Sequence, residues 1–134
     1  MISFLKEEVV IMKPNNLPKN KEATRYFSSI QERYIANNFN GILSSNSGAA
    51  TFSAGDVLNK DASLLIECKT CMTEKKSFSI KKEWIKKNRE EAFTQRVFNG
   101  CIAFNFGPEQ ENFFVIDEKL MKFLIEKLEE ENRL

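Results

Sequence analysis

Between residues 54 and 70 two apolar runs, Val57-Leu58 and Leu64-Leu65-Ile66, flank the short segment Lys60-Asp61-Ala62-Ser63. This pattern predicts strands over about 54–59 and 63–70, joined by a tight turn around Asp61 and Ala62. A shorter strand is expected over 42–45, after a turn at Asn40-Gly41. Upstream, from Asn20 to Asn38, the apolar residues Ala23, Phe27, Ile30, Tyr34 and Ile35 recur at three- and four-residue spacing, the period of an amphipathic helix. Downstream, Ser79 is suited to cap a helix over about 80–95 whose apolar side carries Ile80, Trp84, Ile85 and Ala92. Val97 to Phe106 reads as a buried strand, Gly107-Pro108 breaks it, and Asn112 to Ile116 makes another. Asp117 then caps a last helix with Leu120, Phe123, Leu124 and Leu128 on one stripe. Strands with helices on their faces predict an α/β sandwich around a central mixed β-sheet. Residues 1–18, with Glu7-Glu8-Val9-Val10-Ile11-Met12 ahead of Pro14 and Pro18, read as an N-terminal arm, and 19–134 as one domain.

The hairpin carries the candidate chemistry. Successive strand side chains alternate faces, so Glu67 and Lys69 point one way and Cys68 the other. With a tight turn at Asp61-Ala62, the antiparallel register sets Asp56 opposite Glu67. Two carboxylates about 5 Å apart on one face make a site for a hard divalent cation. Mg²⁺ takes oxygen ligands and keeps several waters, so about one to three carboxylates and a substrate phosphate oxygen suit it, and Mn²⁺ is an alternative. Asp56 and Glu67 would be the ligands, with the backbone carbonyl of Cys68 as a further oxygen. Lys69, protonated, would orient or help deprotonate an attacking water, or neutralise charge developing on phosphate. Such a set suits phosphodiester hydrolysis. A single Glu-x-Lys in a half-buried strand is more often a surface ion pair, and the spacing to Asp56 is what distinguishes this one.

Composition narrows the choices. The 134-residue chain is 42% apolar with twelve phenylalanines, enough for one packed domain. Its opening Met1-Ile2-Ser3-Phe4-Leu5-Lys6 meets charge too soon for a signal peptide, and no apolar run approaches the length of a membrane span. Three cysteines do not suggest a disulfide framework, so a cytoplasmic protein is expected. Cys68 and Cys71 match C-x-x-C, but with Cys101 as the one further cysteine and no histidine, one subunit cannot build a four-ligand zinc site. The missing histidine also removes Ser-His-Asp and Cys-His mechanisms. Net charge is only +1, yet its distribution is uneven. Residues 69–96 hold nine basic and four acidic side chains, whereas 107–134 hold four basic and eight acidic. The basic excess, on Lys75, Lys76, Lys81, Lys82, Lys86, Lys87, Arg89 and Arg96, directly follows the hairpin, where phosphate contacts would flank a scissile bond.

Taken together, Ser47-Gly48-Ala49, Gly55-Asp56-Val57, Leu65-Ile66-Glu67-Cys68-Lys69-Thr70 and Ser77-Phe78-Ser79-Ile80-Lys81-Lys82 resemble the PD-(D/E)xK nuclease superfamily. Within it they look most like the archaeal-type Holliday junction resolvases and their phage-encoded relatives. The resemblance spans about residues 22–116. It departs where Gly55 replaces the proline of the superfamily name, and residues 1–18 have no counterpart. It implies a restriction-endonuclease-like fold and a role in DNA recombination and repair. Glu32 would be the helix carboxylate of the metal site, Asp56 and Glu67 metal ligands, Lys69 the catalytic lysine and Ser47 the active-site loop serine. The resemblance further implies a Mg²⁺-dependent endonuclease on four-way or other branched DNA, working as a homodimer because symmetric nicking needs two active sites. A general structure-dependent or restriction-like nuclease, or a catalytically silent DNA-binding module on the same fold, are the alternatives.

Overall fold

The computed structural model describes residues 21–44 and 55–133. Ser47, its Ser-Gly-Ala loop and the 1–18 arm therefore lie outside the described residues. Five strands form one mixed sheet in sequence order: β1 (Ile42–Leu43), β2 (Asp56–Asn59), β3 (Leu64–Lys69), β4 (Asn99–Phe104) and β5 (Phe113–Val115). All neighbours are antiparallel except β3 and β4. That parallel pair needs a long return path, and a helix spanning Lys82–Thr94 supplies it.

The hairpin between β2 and β3 closes as its sequence requires. The Ser63 amide donates to the Lys60 carbonyl at 3.0 Å, and Ser63 itself turns with φ of 54°. The Asn59 side chain accepts from the Ala62 amide at 2.9 Å, so the turn is held from within. The resulting register pairs Asp56 with Glu67, Val57 with Ile66 and Leu58 with Leu65.

Strand alternation sorts these residues onto two faces. Helix α1 (Lys21–Asn38) covers one, where Ile35 and Ala36 pack with Val57, Ile66, Cys101 and Ala103. The return helix, α2 (Lys82–Thr94), covers the other, where Ala92 and Val97 pack with Leu58 and Leu65. Each fully buried aliphatic side chain contributes about 1.5–3 kcal/mol, so these two small clusters clamp the hairpin between the helices. Tight seating of α2 depends on Gly100, because a Cβ there would run into the amide of buried Asn88, which itself donates to the Leu65 carbonyl at 3.3 Å.

Two expectations need correction. Ser79 does not cap the second helix. That helix begins at Lys82, its N-cap is Lys81 with no side-chain cap bond, and Ile80 lies outside it. The reason is aromatic packing: Phe78 stacks on Phe104 at 5.1 Å and meets Trp84 at 6.1 Å, which holds the preceding segment in place before the helix can start. The strands are also shorter than their apolar runs. Val97 is buried but stands before β4, while Asn105 and Phe106 follow it.

The last helix, α3 (Glu118–Asn132), is capped by Asp117, whose carboxylate accepts from the Leu120 amide at 2.9 Å. Its apolar stripe, however, is not covered among the described residues: no residue of α3 is buried, and Phe123, Leu124 and Leu128 all stand exposed.

Candidate active site

The hairpin delivers the two predicted carboxylates to one place. Asp56 and Glu67 are Cα partners across β2 and β3, on the α2 side of the sheet, and only 3% and 2% exposed. Asp56 Oδ2 and Glu67 Oε1 have no hydrogen-bond partner among the described residues. Buried carboxylate oxygens left without donors are costly, and here two of them lie in residues paired across the hairpin.

Lys69 lies two residues beyond Glu67 on the same face, and its ammonium stands 3.1 Å from Glu67 Oε2. The same Nζ sits 4.5 Å from the centre of the Trp84 ring. Carboxylate on one side and aromatic face on the other hold this long side chain in a fixed direction. Trp84 belongs to an aromatic group with Phe78 and Phe104, and Phe104 is the β4 partner of Lys69. Apolar rings thus wall one side of the charged pair.

Burial and neighbouring charge act together on Asp56. Desolvation first, then a hydrogen bond to Glu91 and the negative charges of Glu91 and Glu67, raise its pKa to about 9, against a smaller lowering by Lys87. Asp56 is therefore protonated at neutral pH and donates to Glu91. Sequence reasoning missed Glu91, which is absent from the residues that the hairpin spacing and the resemblance single out. A signal was present, because Trp84, Asn88 and Glu91 fall four and then three residues apart and share one side of the helix. Asn88 is buried and Trp84 half-buried, so a glutamate continuing that row faces the sheet.

Glu32 is half-buried on α1, and burial raises its pKa. Its charge is felt at the Cys68 thiol, on the opposite side of the sheet from Lys69, where desolvation first and then Glu32 push the thiol upward. Its carboxylate also stands close to the backbone at Gly55: a Cβ there would lie 3.6 Å from Glu32 Oε2. Glu32 thus reaches the strand end at Gly55, whereas Glu91 reaches the Asp56 carboxyl itself. Gly55 has φ of +95°, a conformation that the proline of the superfamily name cannot adopt. Its carbonyl accepts from the Cys68 amide at 3.3 Å, which extends the hairpin ladder to the residue before Asp56.

A second residue that sequence reasoning passed over holds the end of β3. Gln31 Nε2 donates to the Lys69 carbonyl at 2.7 Å and to Asn112 Oδ1 at 3.0 Å. Thr70 and Asn105 continue this polar group, the Thr70 hydroxyl donating to Asn105 Oδ1 at 2.8 Å. Gln31 stands four residues from both Phe27 and Ile35, on the buried stripe of α1, and a polar residue at a core position was the available signal.

The basic residues divide by direction. Lys82, Lys86 and Arg89 are exposed on the outer side of α2, and Arg89 forms a 3.6 Å ion pair with Asp117. Lys87 is exposed, though its charge acts on Asp56 in the lowering direction, and Lys81 lies 5.7 Å from the Trp84 ring centre. Lys75 and Lys76 are exposed in the segment between β3 and α2.

Among the described residues no three cysteine or acidic side chains already form a metal-holding group. The donor set still fits a hard cation in kind, since it consists of buried carboxylate oxygens of which Asp56 Oδ2 and Glu67 Oε1 have no donor, and Mg²⁺ completes its shell with water and phosphate. No helix among the described residues is long and apolar enough to cross a membrane. Comparison with protein-family models, with curated proteins and with solved structures gives no match for this chain.

Proposed function

We propose that this chain is a divalent-cation-dependent endodeoxyribonuclease of the PD-(D/E)xK type, similar to Holliday junction resolvases, acting on branched DNA as a homodimer. The observation that carries the reading is the pairing of Asp56 with Glu67 across the hairpin, with the Lys69 ammonium on the same face. Mg²⁺ held there would supply a Lewis acid for the phosphate oxygen and a more acidic attacking water.

The protein groups have separable tasks in this proposal. Asp56 and Glu67 would hold the cation, with the Cys68 carbonyl as a further oxygen. Lys69, held between Glu67 and Trp84, is placed to orient the water or to offset charge on the phosphate. The aromatic wall of Trp84, Phe78 and Phe104 keeps bulk water from that side, which strengthens each electrostatic interaction. Lys75, Lys76, Lys81, Lys82, Lys86 and Lys87 would take flanking phosphates, with Arg89 if it leaves Asp117. Glu32 and Ser47 retain the roles that the resemblance implies.

The test is a cleavage assay on a four-way junction, a flap and a linear duplex, with and without Mg²⁺. The wild type is expected to cut branched DNA only with the cation present. Asp56→Asn replaces a carboxyl oxygen by an amide nitrogen and Glu67→Gln removes a charge, each at nearly constant volume, so they should abolish cutting while leaving DNA affinity near that of the wild type. Wild-type rates in either variant would show that the residue is no metal ligand, and equal cutting of linear duplex would favour a general nuclease.

A further inference from the structure

We infer that helix α3 is a self-association surface, its apolar side packing antiparallel on the same side of α3 in a second copy of the chain. The reading above asks for two subunits without saying where they meet. This assignment deepens that part of it and rests on α3 itself rather than on the cleavage chemistry.

The helix runs for 15 residues, Glu118–Asn132, and none of them is buried among the described residues. A helix of this length is marginal in water unless its apolar side packs on something. That side is well formed, because Leu120, Met121, Leu124, Ile125 and Leu128 fall on one side of a 3.6-residue period. The last four of these are between 40% and 62% exposed. The first turn is nevertheless fixed in place. Asp117 caps it and pairs with Arg89, and Lys119 donates to the Phe98 carbonyl at 3.2 Å. The stripe is thus presented to solvent from a held base.

Charge selects the occupant. At about 100° per residue, Glu118, Lys122, Glu129 and Arg133 line one edge of the stripe. In an antiparallel pair about a two-fold axis, this edge of one helix meets the same edge of the other. With the axis midway between Ile125 and Glu126, Lys122 stands opposite the other copy's Glu129, and Glu118 opposite its Arg133. Each pairing occurs twice, and the same register sets Leu124 beside the other copy's Leu128. On the opposite edge Lys127 is engaged within its own helix, 3.4 Å from Glu130 Oε2 and 5.4 Å from the Phe123 ring centre.

The two halves of α3 favour the same direction. Residues 118–125 carry two lysines and one glutamate, whereas residues 126–132 carry one lysine and four glutamates. The last turn has no basic residue, so Glu129, Glu130 and Glu131 sit at the negative end of the helix dipole. An antiparallel copy lays that acidic end along the positive half of its neighbour, while a parallel copy would bring two acidic ends together.

The test is sedimentation equilibrium of the full chain over a range of concentrations, without DNA or divalent cation. Lys122→Glu and Glu129→Lys each bring like charges together at two symmetric points, so each should weaken association on the order of tenfold. The two changes combined restore opposite charges and should associate within about twofold of the wild type. Glu126→Lys, on the side away from the stripe, should leave association unchanged, and added salt should shrink the deficit of the single variants. All three positions are exposed, and circular dichroism checks that each variant is folded. A wild type that stays monomeric overturns the assignment, whether residues 1–20 of the same chain or another protein covers the stripe. A combined variant no better than the single ones overturns it too, as does Glu126→Lys weakening association to the same extent. A dimer with the expected charge pattern that cuts no DNA upholds the interface and removes the nuclease reading, whereas a monomer that cuts branched DNA does the reverse.

Discussion

A carboxyl group that is 3% exposed, with Glu91 and Glu67 beside it, is held in its neutral form, and that has a consequence for stability as well as chemistry. In the unfolded chain Asp56 titrates near the ordinary aspartate value of about 3.9. In the folded protein it titrates at about 9. Between these values the native state holds a proton that the unfolded chain has released, so the stability this proton confers is complete below the lower value and is lost as pH rises toward the higher. The slope is at most about 1.4 kcal/mol per pH unit from this residue. Burial of Glu32 acts in the same direction. Unfolding by denaturant at pH 5 and pH 8 should therefore show a less stable wild type at the higher pH. Asp56→Asn cannot lose a proton, so it should flatten much of that difference and be more stable than the wild type at pH 8. An equally steep dependence in the variant would mean that other groups set it.

At the scale of single elements, helix α2 serves two purposes at once. Its inner side carries Asn88 and Ala92 into the sheet and turns Trp84 and Glu91 toward the acidic residues. Its outer side carries Lys82, Lys86 and Arg89 at spacings of four and three residues, all exposed. Charge neutralised on DNA phosphates releases counterions, so alanine at these three positions should weaken binding to every DNA sequence alike. The slope of log affinity against log salt should become shallower by about 0.9 for each phosphate that the variant no longer neutralises. Because Arg89 already pairs with Asp117 at 64% side-chain exposure, its share is expected to be the smallest of the three. An unchanged salt slope in the triple variant would move the DNA surface elsewhere, toward Lys13, Lys19, Lys21 and Arg25.

For the whole molecule, the open balance lies in apolar surface. Helix α3 exposes Met121, Phe123, Leu124, Ile125 and Leu128, and Phe93 and Phe98 are 85% and 81% exposed. The α3 helix is tied to that region, since Lys119 donates to the Phe98 carbonyl at 3.2 Å and Asp117 pairs with Arg89. An amphipathic helix with its apolar side in water gains little from that side, and contiguous patches of this kind mark interfaces. The proposed homodimer gives this surface an occupant. Lys122 and Glu129 flank the same edge of the stripe, so two copies of α3 packed antiparallel about a two-fold axis would set each lysine against the other copy's glutamate. Sedimentation equilibrium should give a mass about twice the 15.5 kDa of the chain. Leu124→Glu with Leu128→Glu should reduce it to the monomer while leaving the fold intact, because neither side chain is buried within one subunit. A wild-type monomer at high concentration would exclude this face as a self-association surface.

Local pattern was enough for the sheet hairpin, because its determinants are local: a turn at Asp61-Ala62, apolar alternation on either side, and a register that follows from turn length. The pairing of Asp56 with Glu67, the shared face of Glu67 and Lys69, the first helix and the Asp117 cap were all readable in this way. The start of α2 was not, since Ser79 is a good cap by itself and yields to the packing of Phe78 on Phe104, residues far apart along the chain. Glu91 and Gln31 escape a sequence reading for the same reason. Each is an ordinary polar helix residue until the sheet is placed beneath it, and then one meets Asp56 and the other the carbonyl of Lys69. Conversely, the Leu120, Phe123, Leu124 and Leu128 stripe predicts a buried side that is not found among the described residues. Sequence periodicity determines which side of an element is apolar and which chemistry a hairpin can present. Which distant side chains share that site, and which apolar sides are left open, is decided by the docking of helices on the sheet, because that docking joins residues that no local spacing relates.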